Sequence, residues 1–392
     1  MPPHTLCDSF VTRKSTGEHR IKTIHALDKA SVRPHALPLM LNRLMVRDFR
    51  CLAHADVEPH PRMTLVAGRN AQGKTSLLEA VCVLMRLQSP RTSSRGEWLC
   101  FGAESCLIEG AWRGVSLRYT QTKSARRLAV DGAVCSRNAD YLASSSLVVW
   151  MDHADMNLVR GGSEHRRRFL DFVAAQLFPE YLDALRQYER ALRARNFLLK
   201  RDAVIQWRQV DAYAALLDRH ARVIRRCRGE LLLRLRPLVV EAQRKLSGTG
   251  ESADAAYVPG FDSESLEEVL LRSRDDESRT RQTAAGTHRD EMMLMVNESE
   301  AGKFASEGQQ RTLSLALKLA QARALEEGRG IAPLLLLDDI FGELDPHRRR
   351  ALLDFLPKDS QKVITTTSLD WMGDAFPDAA IWRIEDGKVI GT

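Results

Sequence analysis

The chain has 392 residues, 44% of them hydrophobic, and a formal net charge of +7. That length holds one large core with an insertion, or two to three domains. No apolar run approaches the roughly eighteen residues of a membrane span; the longest, Ala332 to Leu337, leads directly into Asp338 and Asp339. The seven cysteines, at 7, 51, 82, 100, 106, 135 and 227, contain no C-x-x-C pair. That removes the usual zinc and dithiol signatures and suits reduced thiols in a cytosol.

Residues 1–39 are rich in Pro, His, Ser and Thr without sustained periodicity. They read as a disordered extension or an over-long start, with folded sequence beginning near Met40. From there LNRLMVRDF alternates loosely, and MTLVAG (63–68) is a short apolar strand ending in glycine. A helix is expected from Lys74 to about Leu87. Between 105 and 150, CLIEGAW, VSLRYTQ, RLAVDG and SLVVW are strand candidates separated by Gly, Asn and Asp turn signals.

From Ser163 the pattern becomes helical, with Pro179 expected in the first turn of a new helix. Tyr181, Leu185, Tyr188, Leu192 and Leu199 mark one apolar stripe; Val210, Tyr213, Leu217, Ile224, Cys227 and Leu231 mark another. This stretch carries the charge. From Arg160 to Arg236 there are seventeen arginines and one lysine against nine acids, a surplus larger than that of the whole chain. A solvated helical face would account for it, and so would a surface that tracks nucleic-acid phosphate, which arginine's planar fork suits. Residues 247–283 are polar and read as loops with a short helix near Leu266. A second α/β stretch follows, with a strand over 333–337, a helix from Pro346, the strand KVITTT and a terminal hairpin, AIWRIEDGKVIGT.

Two motifs carry chemistry. GRNAQGKT, residues 68–75, has the G-x-x-x-x-G-K-[ST] spacing of a phosphate-binding loop between a strand and a helix. Gly68 and Gly73 let the backbone wrap around phosphates, and Arg69, Asn70, Ala71, Gln72 and Ser76 complete the cradle. Lys74 would reach the β- and γ-phosphates of a nucleotide, and the Thr75 hydroxyl would ligate Mg²⁺. The strand LLLLDD, from Leu334, ends in Asp338 and Asp339, at the strand edge where open α/β sheets bind ligands. Asp338 is expected to share the metal with Thr75, and Asp339 to position or deprotonate an attacking water. A pair of helix caps after a core strand is the plainer alternative. Together Lys74, Asp338 and Asp339 are the expected catalytic set, with a nucleotide and Mg²⁺ as cofactors. The second motif, KFASEGQQRTLSLALKLAQA (303–322), opens a helix behind Ser306, Gly308 and Gln309, a helix N-terminus suited to an anion.

Phosphate loop, later S-x-G-Q turn, acid-ended strand and the sequence Glu343-Leu344-Asp345 together resemble the ABC-type ATPases. RGGSEHRRRFLD (160–171), YLDALRQYERALRARNFLLK (181–200), GTHRDE (286–291) and SEGQQRTLSLALKLA narrow the resemblance to the RecF family, related to SMC-type heads without their long coiled coil. The resemblance implies a P-loop α/β ATPase lobe made from residues 40–160 and 284–392, with an inserted, mainly helical lobe over 161–283. It also implies that Ser306, Gly308 and Gln309 cap the γ-phosphate held by a second copy, so that ATP joins a homodimer. It further implies a clamp on double-stranded DNA at gap junctions, released by slow, DNA-stimulated hydrolysis, acting with RecR and RecO in RecA loading in the cytoplasm, at the nucleoid and not at a membrane. Arg166, Arg167, Arg168, Arg190 and Arg193 are the candidate DNA contacts. Ser89-Pro90-Arg91 and Arg95, after the phosphate-loop helix, could also reach phosphate.

This chain departs from the pattern at Glu307, where a neutral residue is usual between the signature Ser and Gly. Asp339 stands where ABC transporters carry Glu, and their switch histidine is absent from ITTTSLD (364–370), leaving Thr366 or Thr367 to take its place. The other functional reading, the ATPase subunit of an ABC transporter, has no use for the arginine-rich insertion. Arg289 and Asp290 could equally form a salt-bridged turn, and His288 could be structural.

Overall fold

The computed structural model describes residues 40–92, 94–248, 250–262, 265–372 and 379–390; the expectation for residues 1–39 lies outside them. The first run of elements is β1 (Leu41–Phe49), β2 (Leu52–Val57), β3 (Met63–Ala67), α1 (Lys74–Arg86), β4 (Ser105–Trp112), β5 (Val115–Thr122), β6 (Arg126–Val130), β7 (Ala133–Cys135), α2 (Asn138–Ala143) and β8 (Val148–Met151). A helical run follows: α3 (Asn157–Arg160), α4 (Ser163–Leu177), α5 (Tyr181–Arg201), α6 (Trp207–Asp211) and α7 (Ala214–Ser247). The chain continues with β9 (Ala253–Val258), α8 (Leu266–Arg272), α9 (Arg274–Thr280), β10 (Glu291–Val296), β11 (Ser299–Glu300), α10 (Ala301–Phe304) and α11 (Glu307–Arg329). It closes with β12 (Leu334–Asp338), α12 (Pro346–Phe355), β13 (Lys362–Thr366), β14 (Ala380–Glu385) and β15 (Lys388–Ile390).

One six-stranded sheet is antiparallel, in the order β2-β1-β4-β5-β6-β7, and a second has the order β15-β14-β3-β13-β12-β8. In the second, β14, β3, β13, β12 and β8 are parallel, and only β15 runs against its neighbour. Parallel strands are covered on both faces, and their sequences are apolar throughout. In β12, Leu334 and Leu336 face the core around α1, while the alternating Leu335 and Leu337 face a core built with α4 and α11. Helix α1 is nearly all buried because it lies between the two sheets, touching strands of both.

Four hairpins, at Arg113-Gly114, Asp131-Gly132, Asn297-Glu298 and Asp386-Gly387, have positive φ at both turn residues. That is the two-residue turn whose twist matches paired strands.

Three sequence expectations are corrected. The second apolar stripe is not one helix from Val210: α6 ends at Asp211, and α7 then runs 34 residues, through Pro237, to Ser247. Its buried positions continue past Leu231 as Leu235, Val239, Ala242 and Leu246, because α7 packs along α11. The polar stretch 247–283 is not mainly loop. It holds β9, which pairs with β10, a partner distant in sequence that local composition does not reveal, and it holds α9 as well. Pro179 lies in the turn ahead of α5 rather than inside its first turn.

Many arginines of the helical run point inward. Arg195 forks onto the Glu277 carboxylate at 2.8 Å through both terminal nitrogens and donates to the Thr283 hydroxyl, with both charged side chains fully buried. Arg228 joins Asp171 and Asp290, each at 2.6 Å, and donates to the Thr287 carbonyl and the Tyr181 hydroxyl oxygen. Asp290 therefore pairs with Arg228, not with its neighbour Arg289. His288 bonds Tyr188 Oη and the Thr283 carbonyl, and burial pulls its imidazole down to about 4.

Breaking a buried pair from one side leaves an uncompensated charge. Arg195→Ala is expected to lower the urea-unfolding free energy by about 3–5 kcal/mol, whereas Arg193→Ala, exposed on the same helix, should change it by less than about 0.5 kcal/mol.

Candidate functional site: a phosphate loop facing an acid-ended strand

Strands β3, β13 and β12 are neighbours in the sheet and run the same way, so their C-terminal ends share one edge. The register sets Val66 beside Thr365 and Asp338 beside Thr365. The loop after β3 and the acid at the end of β12 are thus bridged by the end of β13. Thr75 Oγ1 donates to Asp338, 2.8 Å from Oδ2 and 3.0 Å from Oδ1, and Thr365 Oγ1 donates to Oδ1 at 2.7 Å.

Backbone shape explains the glycines. A Cβ on Gly68 would lie 2.6 Å from the Ile384 carbonyl oxygen, and Gly73 has φ +107° with Leu52 and Cys51 against it. The terminal hairpin braces the loop: the amide of Asp386 donates to Gln72 Oε1 at 2.5 Å and that of Gly387 to the Gln72 carbonyl at 3.1 Å. Lys74 is only 6% exposed, and its ammonium donates to the carbonyls of Gly68 at 2.6 Å and Arg69 at 2.9 Å.

The loop, Asp338 and Asp339 enclose a cavity of about 370 Å³, lined also by Cys51 and Arg91. Burial pushes the Asp338 carboxyl above its usual range, with the Thr365 and Thr75 hydroxyls opposing and Asp152 and Asp339 adding to the rise. Burial also lowers the Lys74 pKa, against the attraction of Asp339 and Asp338. Asp339 has φ +53°, a left-handed conformation that aspartate tolerates better than most residues. Its amide donates to Thr365 Oγ1 at 2.9 Å and, at 3.2 Å, to the Thr365 carbonyl.

Hard oxygen donors from Thr75 and Asp338, next to a buried ammonium and a loop that tolerates no Cβ at Gly68, fit Mg²⁺ and a nucleotide phosphate chain. The structure brings together residues 70–76 with Asp338 and Asp339 as cavity lining; Gly68 and Arg69 approach through Lys74.

Ser306, Gly308 and Gln309 are not part of that lining. Ser306 caps α11: its Oγ accepts from the Gln309 amide at 3.3 Å, while Gln309 Oε1 accepts from the Ser306 amide at 2.8 Å. Gln309 Nε2 donates to Glu251, and Arg160 lies 3.2 Å from Glu307, so the extra acid of the turn has a counter-charge.

The arginine run divides. Arg166 is bidentate to Glu291 at 2.6 and 2.7 Å and Arg167 donates to the Asp290 carbonyl, both within the fold. Arg168, Arg190 and Arg193 are exposed. Arg91 is turned to the buried Glu79.

Thr365, Asp152 and the hairpin contact to Gln72 were not singled out from sequence. The only local signal was the threonine run 365–367, and which threonine faces the acid depends on strand register.

An AAA-domain family model matches residues 43–131. The chain is 38% identical over 373 residues to the DNA replication and repair protein RecF of Synechococcus sp. (strain JA-2-3B'a(2-13)), covering 90% of this chain and 98% of that one. It is 35% identical to the protein of the same name from Gloeobacter violaceus, with the same coverage. The chain belongs to the RecF family. A solved structure described as the recombination mediator protein RecF-ATP in the RecFOR pathway superimposes with a TM-score of 0.81 at 25% identity, covering 92% of this chain and 100% of that one. The Smc head domain of Pyrococcus furiosus, at TM-score 0.52 and 15% identity, shares the fold. The P-loop α/β ATPase fold is thereby established. Membership of a DNA replication and repair family sets the transporter reading aside. Among the described residues, no helix is long and apolar enough to cross a membrane.

A raised carboxyl pKa in the folded state means that Asp338 gives up its proton less readily than in the unfolded chain. Its ionisation therefore opposes folding as pH rises through the carboxylate range, and the deficit persists above it. Asp338→Asn should melt higher than the parent at neutral pH without nucleotide, and the difference should vanish in acid. Thermal scans across pH read this directly, and an unchanged or lower neutral melting point would contradict it.

Proposed function

We propose that two copies of this chain close on ATP around double-stranded DNA and reopen when ATP is slowly hydrolysed. The observation that carries this reading is the separation of two half-sites. The phosphate-loop cavity lacks the signature turn, while Ser306 caps an exposed helix end elsewhere on the same chain. The free N–H groups and dipole of a 23-residue helix favour an anion, and the γ-phosphate held by a second copy is the anion this geometry suits.

Within one copy, Lys74 neutralises the β- and γ-phosphates and the loop amides orient them. Thr75 and Asp338 would hold Mg²⁺, which supplies charge neutralisation at the phosphate oxygens when bound. Asp339 orients the attacking water or takes its proton. Its short side chain reaches less far than a glutamate, consistent with slow turnover that DNA stimulates. The same reading makes double-stranded DNA at gap junctions the substrate of the clamp and RecO and RecR its partners. Loading of RecA in the cytoplasm, at the nucleoid, is then its outcome. The RecFOR context of the similar solved structure supports those partners.

Sedimentation with and without ATP and Mg²⁺ tests the clamp. Asp339→Asn, which also tolerates a left-handed backbone, should bind ATP, accumulate dimers and hold a DNA duplex longer. Lys74→Ala should lose ATP binding and dimerisation together. Ser306→Arg should bind ATP as a monomer; a Ser306→Arg protein that dimerises normally would refute the composite site.

A further inference from the structure

A second concentration of cationic donors lies away from the phosphate loop, beside the antiparallel sheet, within electrostatic reach of an arginine of α5. It draws on Arg95 and Trp98 from a short 3₁₀ turn (Arg95–Trp98), Arg126 at the start of β6, Asn138 at the start of α2, and Arg186 on α5. Arg126 is half-buried, and one of its terminal nitrogens donates to Asn138 Oδ1.

The remaining donors have no acceptor. Arg126 Nη1, Asn138 Nδ2 and Trp98 Nε1 are all enclosed without a hydrogen-bond partner, and Trp98 is only 2% exposed. Buried N–H groups without acceptors are costly and uncommon. Here two of them belong to side chains bonded to each other, Arg126 and Asn138, and neither is an acceptor.

These groups are close in space. Trp98 packs on Tyr119 with ring centroids 5.8 Å apart. Burial pushes the Tyr119 hydroxyl up to about 12, with Arg95 and Arg126 pulling the other way. Burial lowers the Arg126 pKa, and the charges of Arg95 and Arg186 lower it further. Arg186 is lowered by burial and by Arg95, with Asp183 and Glu189 opposing. Neither Arg95 nor Arg186 makes an ion pair or hydrogen bond among the described residues. Three guanidiniums gathered from three elements repel one another, and the two nearby acids do not pair with them.

We propose that Arg95, Arg126 and Arg186 form a binding site for a backbone phosphate of double-stranded DNA, completed by the side-chain amide of Asn138. The assignment to DNA rests on the clamp reading above. A phosphate supplies the acceptor oxygens that the enclosed donors lack and the negative charge that the guanidiniums lack. The site also has a continuation. Arg186, Arg190 and Arg193 recur at i, i+4 and i+7 on one face of α5, covering about 10 Å of helix. Arg190 and Arg193 are exposed, and Arg193 is held only by a 3.7 Å surface pair with Glu189, a contact of little strength in water that phosphate can displace. The strand therefore enters at the three-arginine corner and follows α5.

The test uses the full chain carrying Arg95→Gln with Arg186→Gln, both at positions where an amide disturbs little packing, and Arg126→Gln as a second variant. Duplex binding is read by fluorescence anisotropy with saturating ATP over a series of chloride concentrations. Thermal stabilisation by inorganic phosphate is read in parallel, in a Lys74→Ala background that suppresses the phosphate loop. The expected result is at least a tenfold loss of duplex affinity, a salt slope shallower by about 1 for a lost phosphate contact, and reduced stabilisation by phosphate. ATP-dependent dimerisation should be unchanged. Duplex affinity and slope equal to the parent's would overturn the assignment. So would variants that lose only the inorganic-phosphate effect, which would mark a site for a free phosphate group instead. If the parent itself ignores duplex DNA, the clamp reading fails on its own. The phosphate arm then still decides whether the corner binds the group at all: stabilisation equal in parent and variants would refute it.

Discussion

The hydrogen bonds from Thr75 and Thr365 to Asp338 are the contacts on which the rest of the site depends. Asp338 ends a strand buried on both faces, where an isolated carboxylate is unfavourable. The two hydroxyls offset part of that cost and hold the carboxyl in one orientation. They also tie three parallel strands together at a single edge, because each hydroxyl comes from a different strand or the helix after it. The loop after β3 therefore faces a preoriented carboxylate from β12. Few rotamers need to be frozen when the ligand arrives, which is how a site gains affinity without additional contact area.

The two hydrophobic cores explain why that edge is rigid. Helix α1 is wedged between the antiparallel and parallel sheets, so the loop that starts it cannot drift from Asp338. On the opposite face, α11 and α4 fill the second core, and α7 lies along α11. The helix whose first residue is capped by Ser306 thus packs on the same parallel sheet that carries the acids. Lys318, on α11, reaches across to the Trp150 carbonyl at 2.9 Å and to Asp155 at 2.8 Å. The Asp155 carboxyl is pushed up to about 6 by burial, with Lys318 opposing. These contacts tie α11 to the end of β8 and the turn that follows it.

Arginine content was an ambiguous guide. Segment composition indicated a basic surface, yet Arg195 and Arg228 are core residues that hold carboxylates and carbonyls, and Arg166 and Arg167 stitch α4 to the start of β10. Each is surrounded by partners distant in sequence, such as Glu277, Asp290 and Glu291. A charge count cannot distinguish a guanidinium that serves the fold from one that meets solvent, because pairing depends on contacts across 57 to 125 positions of chain.

Local rules carried much of the reading. The phosphate loop, the doubly buried leucine strand, the capped α11 and the tight hairpins are written in short-range patterns: glycine spacing, apolar runs, a serine three residues before a glutamine, and Asp-Gly pairs. Each follows from backbone sterics and local hydrogen bonding, and each was legible without a partner. The choice of Thr365 rather than Thr366 or Thr367, the strand nature of residues 253–258, the length of α7 beyond Pro237 and the gathering of Arg95, Arg126 and Arg186 were decided only by tertiary structure. Register across parallel strands, pairing with a remote edge and the approach of three distant segments are long-range events. No window of neighbouring residues contains them.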